Sequence, residues 1–581
     1  MGSLSYLKKY FARYKKKLAM GIVFILVSNV AQVYIPILLK DSIDSLQKEV
    51  NYEKLGQYAL MIVGTAVFSG IFRFLIRQTI IVVSREIEYD LRQDFWSHLQ
   101  RLALRFFQNN STGNLMAHAT NDISAVRMFV GPAVMYSIDT VTKFVIVLSI
   151  MISFNPMLTL YALLPLPFLS YVIYKISKKI HKKFTLIQEK FSDLTTKAQE
   201  SFSGIRVVKS YVREKSEIKD FTKLSNEYLR RTMDKVRLQA LFMPVLYMIT
   251  GLSAIVVIWV GGDMIISGEF TIGELSAFIV YLGLLIWPVI AFGWVANIIQ
   301  QADASMHRLM KIIDEKYEIE DSALSKNHNG VIKGEIEFRN VSFKYNETTP
   351  VVLDQLNFKI KNGQTVAIIG HTGTGKTTLV NLITRMYDTT DGGIYIDGVN
   401  VKDIPLKTLR ANIGYVPQET FLFSETLRNN ILYGTKDLNE ELLQKVAEIS
   451  QLSKDVESFP QGYDTILGER GITLSGGQKQ RTCLARSLAI DPKILILDDS
   501  FSAVDTHTEE DILTRLKEFM RDRTSIIISH RISTVKDADK IFVIDNGIIK
   551  EQGTHEELVA LGGIYSDIHF KQLLEEELKV I

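Results

Sequence analysis

Two adjacent acids, Asp498 and Asp499, close the apolar run in "ILILDDSFSAVD" (494–505). A carboxylate at the end of a buried strand can hold a magnesium ion. The acid after it stands where a general base would act, and Asp is one methylene shorter than Glu. Upstream, "GQTVAIIGHTGTGKTTLVNLI" carries Gly370, then His371, Thr372, Gly373 and Thr374, then Gly375, Lys376, Thr377 and Thr378. Glycines at this spacing leave room for backbone N–H groups to wrap phosphates, and a helix N-terminus beyond them faces the negative charge. Lys376 is expected to reach the β- and γ-phosphates, and the Thr377 hydroxyl to ligate magnesium. The chemistry these residues fit is the binding of ATP or GTP with Mg2+.

That chemistry needs a strand before the loop and a helix after it, and the sequence supplies both. "GEIEFRNVSFKY" alternates as strands do, after a polar linker "EDSALSKNHNG" beginning at Glu320. An α/β nucleotide-binding domain is therefore expected over 330–581, with a separate domain over 1–320. A chain of 581 residues exceeds what one core supports.

The first half reads as membrane. Mean hydropathy is +0.11 although 23% of residues are charged. Segments of about 20 apolar residues, enough to cross roughly 30 Å of hydrocarbon, are expected at 18–39, 58–83, 131–154, 157–178, 238–266 and 273–300. Asn155-Pro156 marks the turn between the third and fourth. Lysines and arginines crowd the N-terminus, 84–130 and 175–237, whereas the intervening loops are acidic or uncharged. By the positive-inside rule both chain ends face the cytoplasm. The charged stretches stay helical beyond the bilayer, with short turns at their tips expected at 111–127 and 201–214.

Arg73, Arg77, Asp139 and Lys143 fall at the inner ends of spans. They form either a structural ion-pair cluster or a substrate site. Trp287 and Trp294 could likewise line a cavity, anchor at the interface or pack in the core, and Pro36 and Pro288 could kink their helices. A net charge of +3 gives no support for a nucleic-acid partner, and a single cysteine, Cys483, excludes an intramolecular disulfide. The basic, then apolar N-terminus lacks a small-residue cleavage site.

With "LSGGQKQR" (474–481) the resemblance becomes specific: the chain resembles the ATP-binding cassette exporters, in the form of a half-transporter. The resemblance covers almost the whole chain. It implies a membrane bundle of six helices fused to a P-loop cassette. It implies that Tyr345 stacks on adenine, that Gln418 is the Q-loop residue and a metal ligand with Thr377 and Asp498, and that His530 is the switch histidine. Ser475, Gly476, Gly477 and Gln478 match the signature, Asp505 the D-loop, and "GERG" (468–471) the segment set against the membrane hairpins. The tips at 111–127 and 201–214 match coupling segments.

In such exporters two cassettes pair head to tail, one chain's P-loop facing the other's signature, so this chain needs a second half-transporter. The base position is usually Glu. Asp499 therefore implies a site that binds ATP and hydrolyses it slowly, as in the weaker member of heterodimeric exporters; a homodimer with two slow sites is the alternative. The implied activity is ATP-driven export of drugs, lipids or other small amphipathic substrates through a lipid bilayer, the bacterial plasma (inner) membrane. An ATP-gated channel or regulatory subunit is a further reading from another class; it would need a continuous polar pore. The apolar spans exclude a soluble cassette ATPase. The C-terminal "FKQLLEEELKVI" reads as a solvated cap.

Overall fold

The structure, a computed structural model, describes residues 2–48, 51–322, 325, 331–435, 439–471 and 473–580, so most of the expected linker lies outside the described residues. The chain divides into two compact units: Met1–Leu99 with Gly113–Asp314, and Gln100–Thr112 with Glu315–Ile581.

The first unit is helical. α1 (Lys15–Lys48) and α2 (Tyr52–Ile76) form an antiparallel pair, and α2 runs through a π-helical turn, Arg77–Ile81, into α3 (Val82–Leu99). Gly21 admits that turn: a Cβ there would sit 2.5 Å from the Ile80 side chain. After the excursion into the second unit the chain returns as a helical path over Thr112–Ala133, then α5 (Val134–Phe154). The loop-spanning helix α4 (Leu104–Asn109) is part of the second unit.

The turn expected at 111–127 is not there. Thr112–Ala117, a π turn His118–Asp122 and Ile123–Met128 are helical, and the breaks lie at Arg101–Ala103 and Asn110–Ser111. Gly113, Asn114, Thr120, Asn121 and Asp122 are weak helix formers, so tertiary contacts hold the helix: His118 Nδ1 lies 2.6 Å from Asp122, whose carboxylate also accepts from the Arg308 guanidinium. The second break falls at Gly204, between α7 (Pro165–Ser203) and α8 (Glu214–Ala240), with the short helix Ile205–Ser210 between them. Ion pairs Lys190–Glu227 and Lys197–Glu217 zip α7 to α8.

Among the described residues, five helical runs are long and apolar enough to cross a membrane: Lys15–Lys48, Tyr52–Leu99, Thr112–Phe154, Glu214–Ile266 and Ile272–Ile313. The last two contain α9 (Phe242–Ile266) and α10 (Ile272–Ile313). The segment expected to span at 157–178 is divided between α6 (Pro156–Leu163) and α7. Pro165 has no N–H to continue the ladder, so the helix restarts there. Pro36 and Pro288 lie inside α1 and α10. Near Pro36, the buried Tyr281 hydroxyl donates to the Val33 carbonyl at 2.8 Å, tying α10 to α1.

The second unit is α/β. A four-stranded antiparallel sheet has the order β2-β1-β4-β5, from β1 (Ile336–Phe343), β2 (Leu353–Ile360), β4 (Asp391–Ile396) and β5 (Val399–Asn400). A six-stranded sheet has the order β10-β9-β3-β8-β7-β6. Its β6 (Ile413–Val416), β7 (Ile494–Asp498), β8 (Thr524–Ile528), β3 (Thr365–Ile369) and β9 (Lys540–Asp545) run parallel, and β10 (Ile548–Gly553) is an antiparallel edge. β7 and β8 are buried at every position, which explains the apolar runs Ile494–Leu497 and Ile526–Ile528 within them.

This unit begins earlier than the sequence boundary and borrows part of the first half. The Arg101 guanidinium stacks 4.2 Å from the Tyr317 ring and pairs with Glu320 at 3.4 Å, while Arg105 pairs with Glu318 at 3.6 Å. These pairs join residues more than two hundred positions apart, which no local pattern reveals.

Candidate functional site

The carboxyl ends of β3, β7 and β8 meet at one edge of the parallel sheet, where ligands of open α/β folds gather. β3 leads through the glycine loop into α11 (Lys376–Ile383). Gly375 caps that helix at φ +97°, and a Cβ there would lie 2.7 Å from Leu353, so only glycine lets the loop close. Thr374 Oγ1 donates to the His371 carbonyl at 2.9 Å and fixes the bend.

Lys376 is buried, and its ammonium donates to the carbonyls of Gly370 (2.8 Å) and His371 (2.7 Å). Burial lowers its pKa, and the charges of Asp498 and Asp499 oppose that shift. Asp498 is only 1% exposed. Burial raises its pKa, against a hydrogen bond from Thr377 and the nearby Lys376 charge; the Tyr415 hydroxyl stands at 3.5 Å.

Asp499 follows at φ +47°, its N–H donating to the Ile528 carbonyl at 2.9 Å. Side chains other than Asn and Asp rarely adopt this left-handed geometry. His530, beyond β8, has its pKa lowered by burial and by Lys376, with Asp499 opposing, so its imidazole is neutral at pH 7.

A cleft of about 300 Å³ is lined by Tyr345, Thr372, Gly373, Gly375, Lys376, Thr377, Thr378, Gln418, Asp498, Asp499 and His530. Eleven expected residues thus share one space, and Gly370, His371 and Thr374 frame its loop. The Tyr345 hydroxyl is 2.8 Å from Thr378 Oγ1, and its ring packs edge-on against Phe343 and Tyr387, leaving it as a wall of the cleft.

The residues fit a phosphate chain with a hard cation. The loop is backbone-lined, the buried ammonium is held by carbonyls a polyphosphate could replace, and the buried carboxylate beside Thr377 lacks a direct cation contact among the described residues. No cluster of three His, Cys, Asp or Glu side chains that could alone hold a metal exists among the described residues. Magnesium takes oxygen ligands, several from water and phosphate, so two protein oxygens suffice. Bound there, it would neutralise developing phosphate charge.

The signature residues do not line this cleft. Ser475 caps α12 (Gly476–Ala489) in a reciprocal capping box with Gln478. Gly477 packs on the following loop: a Cβ would meet the Ala503 carbonyl at 2.9 Å. Gln480 brackets that loop, donating to Ser502 and accepting from the Ala503 N–H, each at 2.9 Å. Asp505 caps α13 (Thr506–Met520) by accepting from the Thr508 N–H at 2.9 Å. The signature and D-loop form one block, separate from the P-loop cleft.

Sequence reading missed several residues. Tyr415 stands beside Asp498 because β6 pairs with β7. Glu509, 3% exposed on α13, pairs with Arg531 and accepts from Thr534 Oγ1 at 2.6 Å, linking the D-loop helix to the loop after β8. Gln572 is the larger omission. The expected solvated cap is part of the helix Ile564–Val580, and Gln572 bonds the His530 carbonyl and accepts from the Ile532 N–H at 2.9 Å. The cap therefore holds the loop after β8; a glutamine in a charged helix carries no signal of that.

Residues 18–289 match the family model described as ABC transporter transmembrane region, and 353–502 the one described as ABC transporter. The chain is 36% identical over 586 residues to the "Probable multidrug resistance ABC transporter ATP-binding/permease protein YheI" of Bacillus subtilis, covering 98% of each chain. It is 34% identical over 578 residues to the "Multidrug resistance-like ATP-binding protein MdlA" of Buchnera aphidicola, covering 99% of each. A solved bacterial Atm1-family ABC exporter with ATP bound superposes with a TM-score of 0.78 at 27% identity, over 97% of this chain and 99% of that one. The chain belongs to the ABC transporter family: a membrane protein carrying a helical transmembrane domain and an ATP-binding cassette on one polypeptide, and an ATPase coupled to transport.

Proposed function

We propose that the chain is one half of a dimeric, ATP-driven exporter of hydrophobic or amphipathic molecules, and that its own hydrolysis site is weakened. Tyr345, the P-loop residues 370–378, Thr377 and Asp498 bind Mg–ATP, Gln418 and His530 act on the phosphate end, and Ser475–Gln478 with Asp505 complete the partner's site. Six apolar segments cross the plasma membrane with both termini and the cassette on the cytoplasmic side. The family resemblance and the names of the multidrug-type relatives support the substrate class.

The observation that carries the reading is Asp499, directly after the buried Asp498, in one cleft with Lys376 and His530. Losing one methylene retracts the carboxylate by roughly 1.5 Å, and a misplacement of about 1 Å costs on the order of a hundredfold in rate. The binding groups are all retained, so affinity survives where turnover does not. A partner with Glu at that position gives one competent site. Purified alone, the chain retains ATP and turns it over slowly, Asp499→Glu raises turnover, and Asp499→Asn changes little. Full turnover by the unmodified chain, unaffected by Asp499→Glu, would refute a weakened site.

A homodimer with two slow sites is the second reading, favoured by the intact Ser475, Gly476, Gln418 and His530. Mass measurement of the complex isolated with its native partner separates the two.

A further inference from the structure

A cavity of about 600 Å³ lies within the first unit, between α1, α2 with its π turn, α5 and α10. The four charged residues left open between a structural and a substrate role all line it: Arg73, Arg77, Asp139 and Lys143. Lys143 and Asp139 neutralise one another at 3.3 Å. Arg73 donates to the neutral Gln32 side chain at 2.7 Å, and Arg77 has no carboxylate partner among the described residues. Two guanidiniums therefore remain uncompensated in a helical unit of apolar spans.

Both arginines are exposed to this cavity, so a molecule entering it meets two cations that no carboxylate among the described residues answers; charge within a membrane domain marks functional positions. Arg77 opens the π turn Arg77–Ile81, a distortion frequent at functional sites. The remaining wall is apolar and aromatic, including Phe74, Met135 and Trp287, with the Tyr136 ring packed edge-on against Trp287. A purely structural cluster would balance its charges; this one is balanced in one pair and cationic in the other.

We propose that this cavity binds an amphipathic anion, its phosphate, sulfonate or carboxylate held by Arg73 and Arg77 and its apolar part against Phe74, Met135 and Trp287. This rests on the reading of the chain as an exporter and narrows its substrate to one charge class. Guanidinium forks suit such oxyanions, and charge-assisted bonds are the stronger kind. The same head group can belong to a membrane lipid or to a soluble amphiphile.

The test uses the full chain in phosphatidylcholine nanodiscs, with dansyl-undecanoate as the fluorescent probe excited by transfer from tryptophan. Saturable binding is expected, displaced by dodecyl phosphate and not by dodecyltrimethylammonium. Arg73→Gln and Arg77→Gln are each expected to weaken it about tenfold, and Arg77→Lys by less. Displacement by phosphatidylglycerol built into the disc assigns a lipid source; displacement by dodecyl phosphate with phosphatidylglycerol inert assigns a soluble one. Equal displacement by the cationic chain, equal displacement by inorganic phosphate, or unchanged affinity in both arginine variants overturns the proposal. A fluorescent ATP analogue on the same samples reports folding and the cassette separately. Nucleotide retention without anion binding sinks this inference alone; anion binding without nucleotide retention sinks the proposed function alone.

Discussion

Gln572, in the last helix, grips the loop of His530 from both sides, through the His530 carbonyl and the Ile532 N–H. The imidazole that faces Lys376 and Asp499 is thus held by a residue remote in sequence. A carboxamide satisfying two backbone groups contributes about 1–3 kcal/mol, most of it the penalty of leaving them unpaired.

Gln572→Ala is expected to loosen that loop while leaving ATP binding intact. Hydrogen exchange at the Ile532 amide should rise, and turnover in an Asp499→Glu background should fall about tenfold. Unchanged exchange would show that the helix only covers the loop.

Asp498 gives a pH dependence. Burial raises its pKa, so the folded site holds a proton at pH values where an exposed Asp has lost it. With no cation bound, this group's contribution to stability is complete below the ordinary Asp pKa and is lost as pH rises through the raised one. Magnesium requires the ionised form. Mg–ATP affinity should therefore weaken on mild acidification, metal-free ATP affinity should not, and Asp498→Asn should abolish the difference. Titration by calorimetry with and without Mg2+ measures it.

Gly477→Ala should separate the two halves of the shared chemistry. The new Cβ drives the Ala503 carbonyl away, and such overpacking costs about 1–3 kcal/mol. Nucleotide retention by this chain should persist because the P-loop cleft is elsewhere, while ATPase of the complex with a Glu-containing partner should fall at least tenfold. Loss of retention instead would place the signature in this chain's own cleft.

Asp499→Glu should raise turnover and slightly lower thermal stability. At φ +47° Asp is tolerated better than Glu, and the difference is expected to stay under about 1 kcal/mol. Thermal unfolding followed beside ATPase reads both, and a stabilised, no faster variant would contradict the account.

The local grammar was legible without coordinates. Gly370 to Thr378, Asp498 and Asp499 were identifiable because a phosphate loop needs residue types at fixed chain spacing, and β7 because a strand buried on both faces must be continuously apolar. The apolar segments of the first half followed from length and composition, since hydrocarbon admits few charges. The interruption at Leu164 and the helical path over 112–128 were not legible: proline pairs and small residues each admit more than one backbone path, and long-range partners such as Arg308 decide between them.

What the sequence determined alone was therefore what lies within a short reach of chain: the glycine loop before α11, the paired acids, the capping box of α12 and the apolar character of the first half. The tertiary structure decided what meets across distance. It set Gln572 on the His530 loop, Arg101 on Tyr317, and Arg73 and Arg77 in one cavity with Asp139 and Lys143. Contacts between remote segments depend on how whole elements pack, and packing energy is a property of the assembled core, which no window of residues contains.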